Sequence, residues 1–255
     1  MGIMKENFLR NAHDTTFSPT GLYNFVKGNE LADTSGNGSA KNLTENDAPV
    51  DDVDFSFGEA EGLSHFIYYR NNSGDFNYTG AMSYACLIYT TGSIPDSVNN
   101  HAQLGLCDSS GGGNDMRWGL QIDSDGYLRY AHQNGGNLYI AVADRKIREH
   151  YKWNHVAFTR DSNGTGVKVY FNGAEINTDL KKYVSSTWSN TSGDTLEAAP
   201  GTTGTAYYCV GDIENFGNTR TNTVVVTSCA IYDQELSANQ IKYLARKTLG
   251  YKRVR

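Results

Sequence analysis

The side chains that could carry out chemistry are few and scattered. Glu59 and Glu61 stand two positions apart, as do Asp212 and Glu214, a spacing that brings both carboxylates to one face if the backbone is a strand. A glycosidase needs such a pair, one acid to protonate the leaving oxygen and one carboxylate to attack the sugar or activate water. Gly58 and Gly62 bracket the first pair and predict a turn, and the second pair falls in a loop-like stretch. Neither is assigned as a dyad. The sequence has no Gly-x-Ser-x-Gly elbow, no His-Glu-x-x-His pair and no phosphate-cradling glycine loop ending in Lys-Ser or Lys-Thr. His155 sits inside an apolar alternating run next to Trp153 and is read as structural. No catalytic residue is expected, and the chain is read as a non-enzyme.

Metal chemistry is equally thin. Cys86, Cys107, Cys209 and Cys229 lie far apart in apolar segments with no Cys-x-x-Cys or His/Cys cluster, so they are read as small buried hydrophobes, with one cross-strand disulfide left open. Asp123-Ser124-Asp125-Gly126 lacks the later ligands of a calcium loop and is read as a hairpin turn. Aromatic rings are more promising, because Tyr and Trp stack on apolar faces and keep a polar handle. Tyr183 and Trp188, in a long polar stretch, and Tyr68 and Tyr69, in an early strand, are the candidate ligand-binding residues. Tyr127, Tyr130 and Tyr139 alternate with apolar residues and are assigned to packing.

The elements that must position these groups are strands. The chain of 255 residues has 27 Gly, 17 Tyr and 4 Pro, and apolar runs at 82–89, 102–107, 116–122 and 127–131 are punctuated by turn residues. Residues 153–159 and 167–171 predict a hairpin around Asp161-Ser162-Asn163-Gly164. Asn172-Gly173 follows and suits a turn with positive φ at both positions. One helix is predicted over residues 237–246: Ser237 and Gln240 form a capping box, Leu236 staples onto Ile241, and Gly250 is the expected stop. Residues 90–101 and 177–205 break the strand rhythm and read as loops, and loops this long inside a domain are usually functional or disordered. A formal charge of −6 argues against nucleic acid as a partner. No apolar run approaches a membrane span. Asn-x-Ser/Thr triplets begin at Asn37, Asn42, Asn71, Asn77, Asn163 and Asn190.

Three stretches, in order, resemble the laminin-G-like, concanavalin A-like lectin/glucanase jelly-roll family. Gly21-Leu22-Tyr23-Asn24-Phe25 with Asp33-Thr34-Ser35-Gly36-Asn37-Gly38 is similar to its first strand and turn. Trp153-Asn154-His155-Val156-Ala157-Phe158-Thr159, residues 167–171 and Asn172-Gly173 resemble its hairpin. Ala230-Ile231-Tyr232-Asp233 with Leu236-Ser237-Ala238 resembles its last strand and helix start. The resemblance implies an all-β, two-sheet antiparallel sandwich with one short C-terminal helix, whose concave face and rim loops hold sugars in relatives. Related glucanases carry Glu-x-Asp-x-x-Glu, which is absent here. Relatives also place an acidic residue early in the last strand, where it helps hold calcium. The matching Thr227 and Ser228 offer neutral oxygens only, so calcium is expected to bind weakly if at all and no other cofactor is expected.

The domain is expected over residues 20–247, after an N-terminal extension (1–19) with Phe8, Leu9 and Phe17 as apolar anchors, and before a basic tail (248–255). This fold normally works outside cells, yet the sequence opens at Met1 without a signal-peptide pattern. The resulting expectation is a non-catalytic protein of a bacteriophage virion surface: a capsid decoration, head-fibre or tail adhesion protein. Its partners would be other virion proteins, copies of itself and cell-surface glycans. The alternatives are a cellular carbohydrate-binding module or adhesin at the cell surface, and a glycan-active hydrolase.

Overall fold

The computed structural model describes residues 13, 15–24, 32–46, 53–55, 58–60, 68–71, 74–90, 102–109, 116–123, 125–147, 152–202, 206–211 and 224–250. Two antiparallel sheets stack face to face. One has six strands in the spatial order β1 (Gly21–Asn24), β17 (Val224–Tyr232), β6 (Met82–Thr90), β11 (Lys152–Arg160), β12 (Val167–Phe171) and β13 (Ala174–Ile176). The other has nine: β15 (Thr187–Asn190), β14 (Thr178–Val184), β10 (Asn137–Lys146), β9 (Tyr127–Asn134), β8 (Trp118–Ile122), β7 (Ala102–Ser109), β16 (Ala206–Gly211), β5 (Tyr68–Asn71) and β2 (Thr44–Asn46). A separate ribbon pairs β3 (Val53–Phe55) with β4 (Gly58–Ala60). The all-β sandwich expected from the sequence is the fold.

Period-two alternation explains the core. Tyr84, Cys86 and Ile88 of β6, Val156 and Phe158 of β11, Trp118, Leu120 and Ile122 of β8, and Leu128 and Tyr130 of β9 all point between the sheets and are buried. The Trp118 ring is 5.1 Å from Tyr84, 5.8 Å from Phe158 and 5.6 Å from Tyr208, so one aromatic cluster ties both sheets together.

The outer face of the six-stranded sheet is covered by the helix α1 (Ala238–Gly250). Ala85, Ala157 and Ala230 stand side by side across three strands, and their small side chains admit Ile241 and Leu244. The capping box forms as predicted: the Ser237 N–H donates to Gln240 Oε1 at 2.8 Å and the Gln240 N–H to Ser237 Oγ at 3.4 Å. The helix outruns residue 246 because Thr248 is buried, with its hydroxyl donating to the Leu244 and Ala245 carbonyls. Gly250 is therefore its last residue and not a stop beyond it.

Other expectations are corrected. Residues 177–205 are not a loop throughout: 178–184 and 187–190 form the β14–β15 hairpin. Glu59 lies in β4, opposite Asp54, where a turn was predicted. Phe17 is no free anchor, since its ring meets Tyr243 of α1 edge-on at 5.7 Å and packs against the helix-covered cluster. Phe8, Leu9, Glu61, Asp212, Glu214 and residues 91–101 and 251–255 lie outside the described residues.

One end of the sandwich is closed by buried polar groups. Arg160, at the inward position after Val156 and Phe158, donates to the carbonyls of Gly80 (2.8 Å), Arg117 (2.9 Å) and Tyr78 (2.5 Å) and to the Tyr130 hydroxyl (2.8 Å). Arg117 donates to Asn77 Oδ1 and to the Gly201 carbonyl. His132 Nε2 donates to the Ala198 carbonyl at 2.8 Å, and Asn134 Nδ2 to that of Ala199 at 2.8 Å. These contacts pin the chain after β15 to the body of the domain.

Candidate functional site

The hairpin β14–β15 carries the predicted aromatic pair. β14 pairs with β10, and among the described residues β15 pairs only with β14, at the edge of the nine-stranded sheet. Ser185 and Ser186 make the reversal with φ of 48° and 64°. Leu180 packs against the core, so alternation sends Asp179, Lys181 and Tyr183 to the outer face. Tyr183 is directly opposite Trp188, and their ring centroids are 5.0 Å apart at 44°. Trp188 is 49% exposed, an unusual position for the side chain with the largest apolar surface. On the other face, Lys182 is held by Glu197 at 2.5 Å. The hairpin thus has a fixed inner face and an aromatic outer one.

Beside it, where the chain crosses from β13 to β14, a cleft of about 780 Å³ opens between the edges of the two sheets. Asp161, Glu175, Asp179, Asp194 and Glu235 line it, with Lys168 facing Glu175 at 3.9 Å. Asp161 Oδ1 already accepts the N–H groups of Thr165 and Gly166. The cleft is acidic and rich in acceptors. Among the described residues, however, no group of three or more His, Cys, Asp or Glu is gathered to hold a metal ion.

Tyr68 and Tyr69 lie on β5, opposite Gly211 and Val210 of β16. Six strand steps at about 4.8 Å put β5 roughly 29 Å from β14. The four predicted ligand-binding residues therefore do not form one site: Tyr183 and Trp188 come together, and Tyr68 and Tyr69 sit near the far edge. Tyr130 and Tyr139 are buried, as the packing assignment required, whereas Tyr127 is half-buried with Lys146 Nζ 5.3 Å from its ring centroid.

The hydroxyls at the family's calcium position are used within the chain. Thr227 Oγ1 donates to the Leu87 carbonyl at 3.2 Å, and Ser228 Oγ donates to Asn24 Oδ1 at 2.8 Å. Ser228 Oγ therefore accepts from His13 Nδ1, also at 2.8 Å, which assigns the proton to Nδ1 of that ring. His155 is fully buried with its ring 5.4 Å from that of His13. Burial, and secondarily His13, holds its pKa well below the ordinary value. A histidine kept neutral and enclosed suits packing, not proton transfer. Cys86 and Cys229 face each other across β6 and β17 as buried thiols, and burial pushes the Cys229 pKa up to about 12. At Asp123, Oδ1 accepts the N–H groups of Asp125 and Tyr127, so this carboxylate builds a turn.

Sequence reasoning missed the cleft and the Arg160–Arg117–His132 belt. The one local signal was an arginine continuing the inward alternation of Val156 and Phe158.

The geometry agrees with comparisons to known proteins. The receptor-binding domain of a botulinum neurotoxin C/D mosaic serotype is similar in structure, with a TM-score of 0.60 and 18% identity, covering 90% of this chain and 51% of that one. So is the binding domain of botulinum neurotoxin DC in complex with rat synaptotagmin II (0.57, 17%, 92% and 52%). A third is a botulinum neurotoxin type C structure, from a toxin whose cell entry depends on interaction with two ganglioside molecules (0.58, 18%, 92% and 52%). The chain spans about half the length of these structures, and at such identity the likeness is one of fold. No curated protein sequence matches it. The family model for the concanavalin A-like lectin/glucanases superfamily matches residues 64–242, well over half of the sequence, and the chain belongs to that superfamily.

Proposed function

We propose that this domain is a non-catalytic recognition and adhesion module that binds a glycan through the Tyr183–Trp188 pair. The observation that carries the reading is the exposed Trp188 ring, held 5.0 Å from Tyr183 on a hairpin whose inner face and exit are fixed. Stacking on the two rings supplies apolar contact, and Asp179 and Lys181 on the same face supply hydrogen bonds to sugar hydroxyls. Structures of the same fold include a neurotoxin domain described as receptor-binding and one from a neurotoxin whose cell entry depends on interaction with two ganglioside molecules.

Display on a virion surface is the finer part of the proposal. Phe17 and α1 both lie on the outer side of the six-stranded sheet, while the aromatic hairpin ends the other sheet. An assembly holding the domain by that side would leave Trp188 in solvent. Mass spectrometry of purified virions tests that placement.

The binding test is a glycan array followed by titration of the best ligand and of ganglioside vesicles. Trp188→Ala is expected to weaken binding by about tenfold or more with the fold intact, and neither protein should release new reducing ends from laminarin, lichenan, agar or alginate. Unchanged affinity in the variant, or turnover by the intact chain, overturns the reading.

A further inference from the structure

We infer that β15 is an association edge, at which two copies of this chain pair antiparallel and join their nine-stranded sheets into one. The pairing does not depend on the glycan reading; its consequence, a doubled aromatic platform, does.

The inference starts from how the sheet edges are protected. Edge strands leave rows of N–H and C=O groups free to pair, and proteins blunt them with charge, proline or cover. At β1, the Leu22 N–H donates to Asp33 Oδ1 and the Leu22 carbonyl accepts the Thr34 N–H, and the strand is buried. β13 carries Glu175, and β2 carries Glu45. β15 is as short as these strands, but among the described residues neither charge, proline nor a covering segment protects it. Its sequence, Thr187-Trp188-Ser189-Asn190, contains no charge and no proline, and all of it is exposed.

Hydrogen-bond phase then selects the partner. Thr191 donates its N–H to the Leu180 carbonyl at 3.0 Å, which makes Thr191 and Leu180 a hydrogen-bonded pair. Alternation in an antiparallel ladder makes Ser189–Lys182 and Thr187–Val184 bonded pairs as well. The N–H and C=O groups of Trp188 and Asn190 must therefore point away from β14. A twofold axis through Ser189 sets Trp188 of each copy opposite Asn190 of the other, and every outward group on these two residues finds a partner. A second copy supplies this register from its own sequence and brings no charged side chain to the axis. Opposed residues then share a face, so both Trp188 rings stay on the outer face at the diagonal spacing of about 7–8 Å that aromatic side chains can span. The contact is smaller than a standard interface of about 1,600 Å², so the dimer is weak and fills at high local concentration.

At the axis, Ser189 faces Ser189 of the second copy. Sedimentation velocity of the intact chain from about 5 to 500 µM should show monomers converting to dimers. Ser189→Lys should remain monomeric at every concentration, and so should Ser189→Glu, because each sets like charges face to face. An equimolar mixture of the two should dimerise. On a dense glycan surface the intact chain should bind about 10- to 100-fold more tightly than Ser189→Lys through avidity, with equal affinity for monovalent ligand. An intact chain that stays monomeric to about 500 µM overturns the inference. So does unimpaired dimerisation of both variants, or a mixture that fails to associate. Dimers that respond to the charge swap but bind no glycan leave the pairing standing and remove the ligand reading alone.

Discussion

Asn172–Gly173 and Ser185–Ser186 each reverse the chain in two residues with positive φ at both, 52° and 81° in the first, 48° and 64° in the second. The first joins β12 to β13 at the edge of one sheet, and the second joins β14 to β15 at the edge of the other. Their surroundings differ. A Cβ at residue 173 would stand 2.9 Å from Ala245 Cβ and 3.1 Å from Lys242 Cα of the helix. Asn172 Oδ1 accepts the His155 N–H at 2.9 Å, and its own N–H donates to the His155 carbonyl at 2.7 Å. Around Ser185 and Ser186 the chain is exposed. One backbone solution thus serves two ends. Where a helix closes on the turn only glycine fits; where nothing covers it, serines are tolerated at modest strain and the strand beyond them is free to meet a partner.

Acid should strain both regions most. His155 lies under the sealed turn, and His132 holds the exit of the exposed hairpin. Burial pushes the His132 pKa down to about 3, against the hydrogen bond to Ala198, and holds that of His155 well below its ordinary value. The folded protein therefore binds fewer protons than the unfolded chain, whose histidines titrate near 6.5. Their contribution is fully present above about pH 6.5 and is lost as pH falls from there toward the folded values. By pH 4 the loss at His132 is roughly 3 kcal/mol, His155 adds to it in the same direction, and a Tm lower by about 10 °C or more than at pH 7 is expected. A flat Tm across that range would show that neither ring is held neutral by burial.

Gly173→Ala should be the next largest effect. A left-handed alanine costs about 1–2 kcal/mol, and crowding against α1 adds about 1–3 kcal/mol. A fall in Tm of about 5–15 °C follows, whereas Ser186→Ala, which already has a Cβ and no cover, should stay within about 0.5 kcal/mol of the parent. Equal losses at the two turns in thermal melts would erase the contrast between them.

Much of the sealed region was legible because its signals are local. Asn172-Gly173 states its turn type, Ser237 and Gln240 state the cap, and Asp33 builds the expected turn by accepting the N–H groups of Leu22, Ser35 and Lys41. The exposed hairpin was not legible. Its turn lacks Gly and Asn, and a charged inward Lys182 followed by an aromatic outward Tyr183 inverts the alternation that Leu180 and Lys181 begin. Trp188 and Tyr183 could be named as exposed aromatics, but only the register makes them a pair. The reverse error occurred at Glu59, where flanking glycines suggested a turn and β4 formed. The buried belt left almost no trace, because Arg160 bonds to groups 30 to 82 positions away.

The smallest effect is the most direct probe of the exposed turn. Changing Ser185→Asn together with Ser186→Gly installs the residue pair that two-residue turns with positive φ prefer. Relief of left-handed strain at residue 186 is worth about 1 kcal/mol, and the greater freedom of glycine in the unfolded chain takes back about 0.5–1 kcal/mol. A gain of a few tenths of a kcal/mol remains, about 1 °C in Tm. The Tyr183–Trp188 register should persist, because it is set by the β14–β15 ladder and by the contacts that fix residues 196–201. Glycan affinity should therefore equal that of the parent in a calorimetric titration. If stability falls by more than about 1 kcal/mol, the serine side chains contribute something the hairpin geometry does not account for. If stability holds but affinity drops, the turn sets the ring positions and the strand ladder does not.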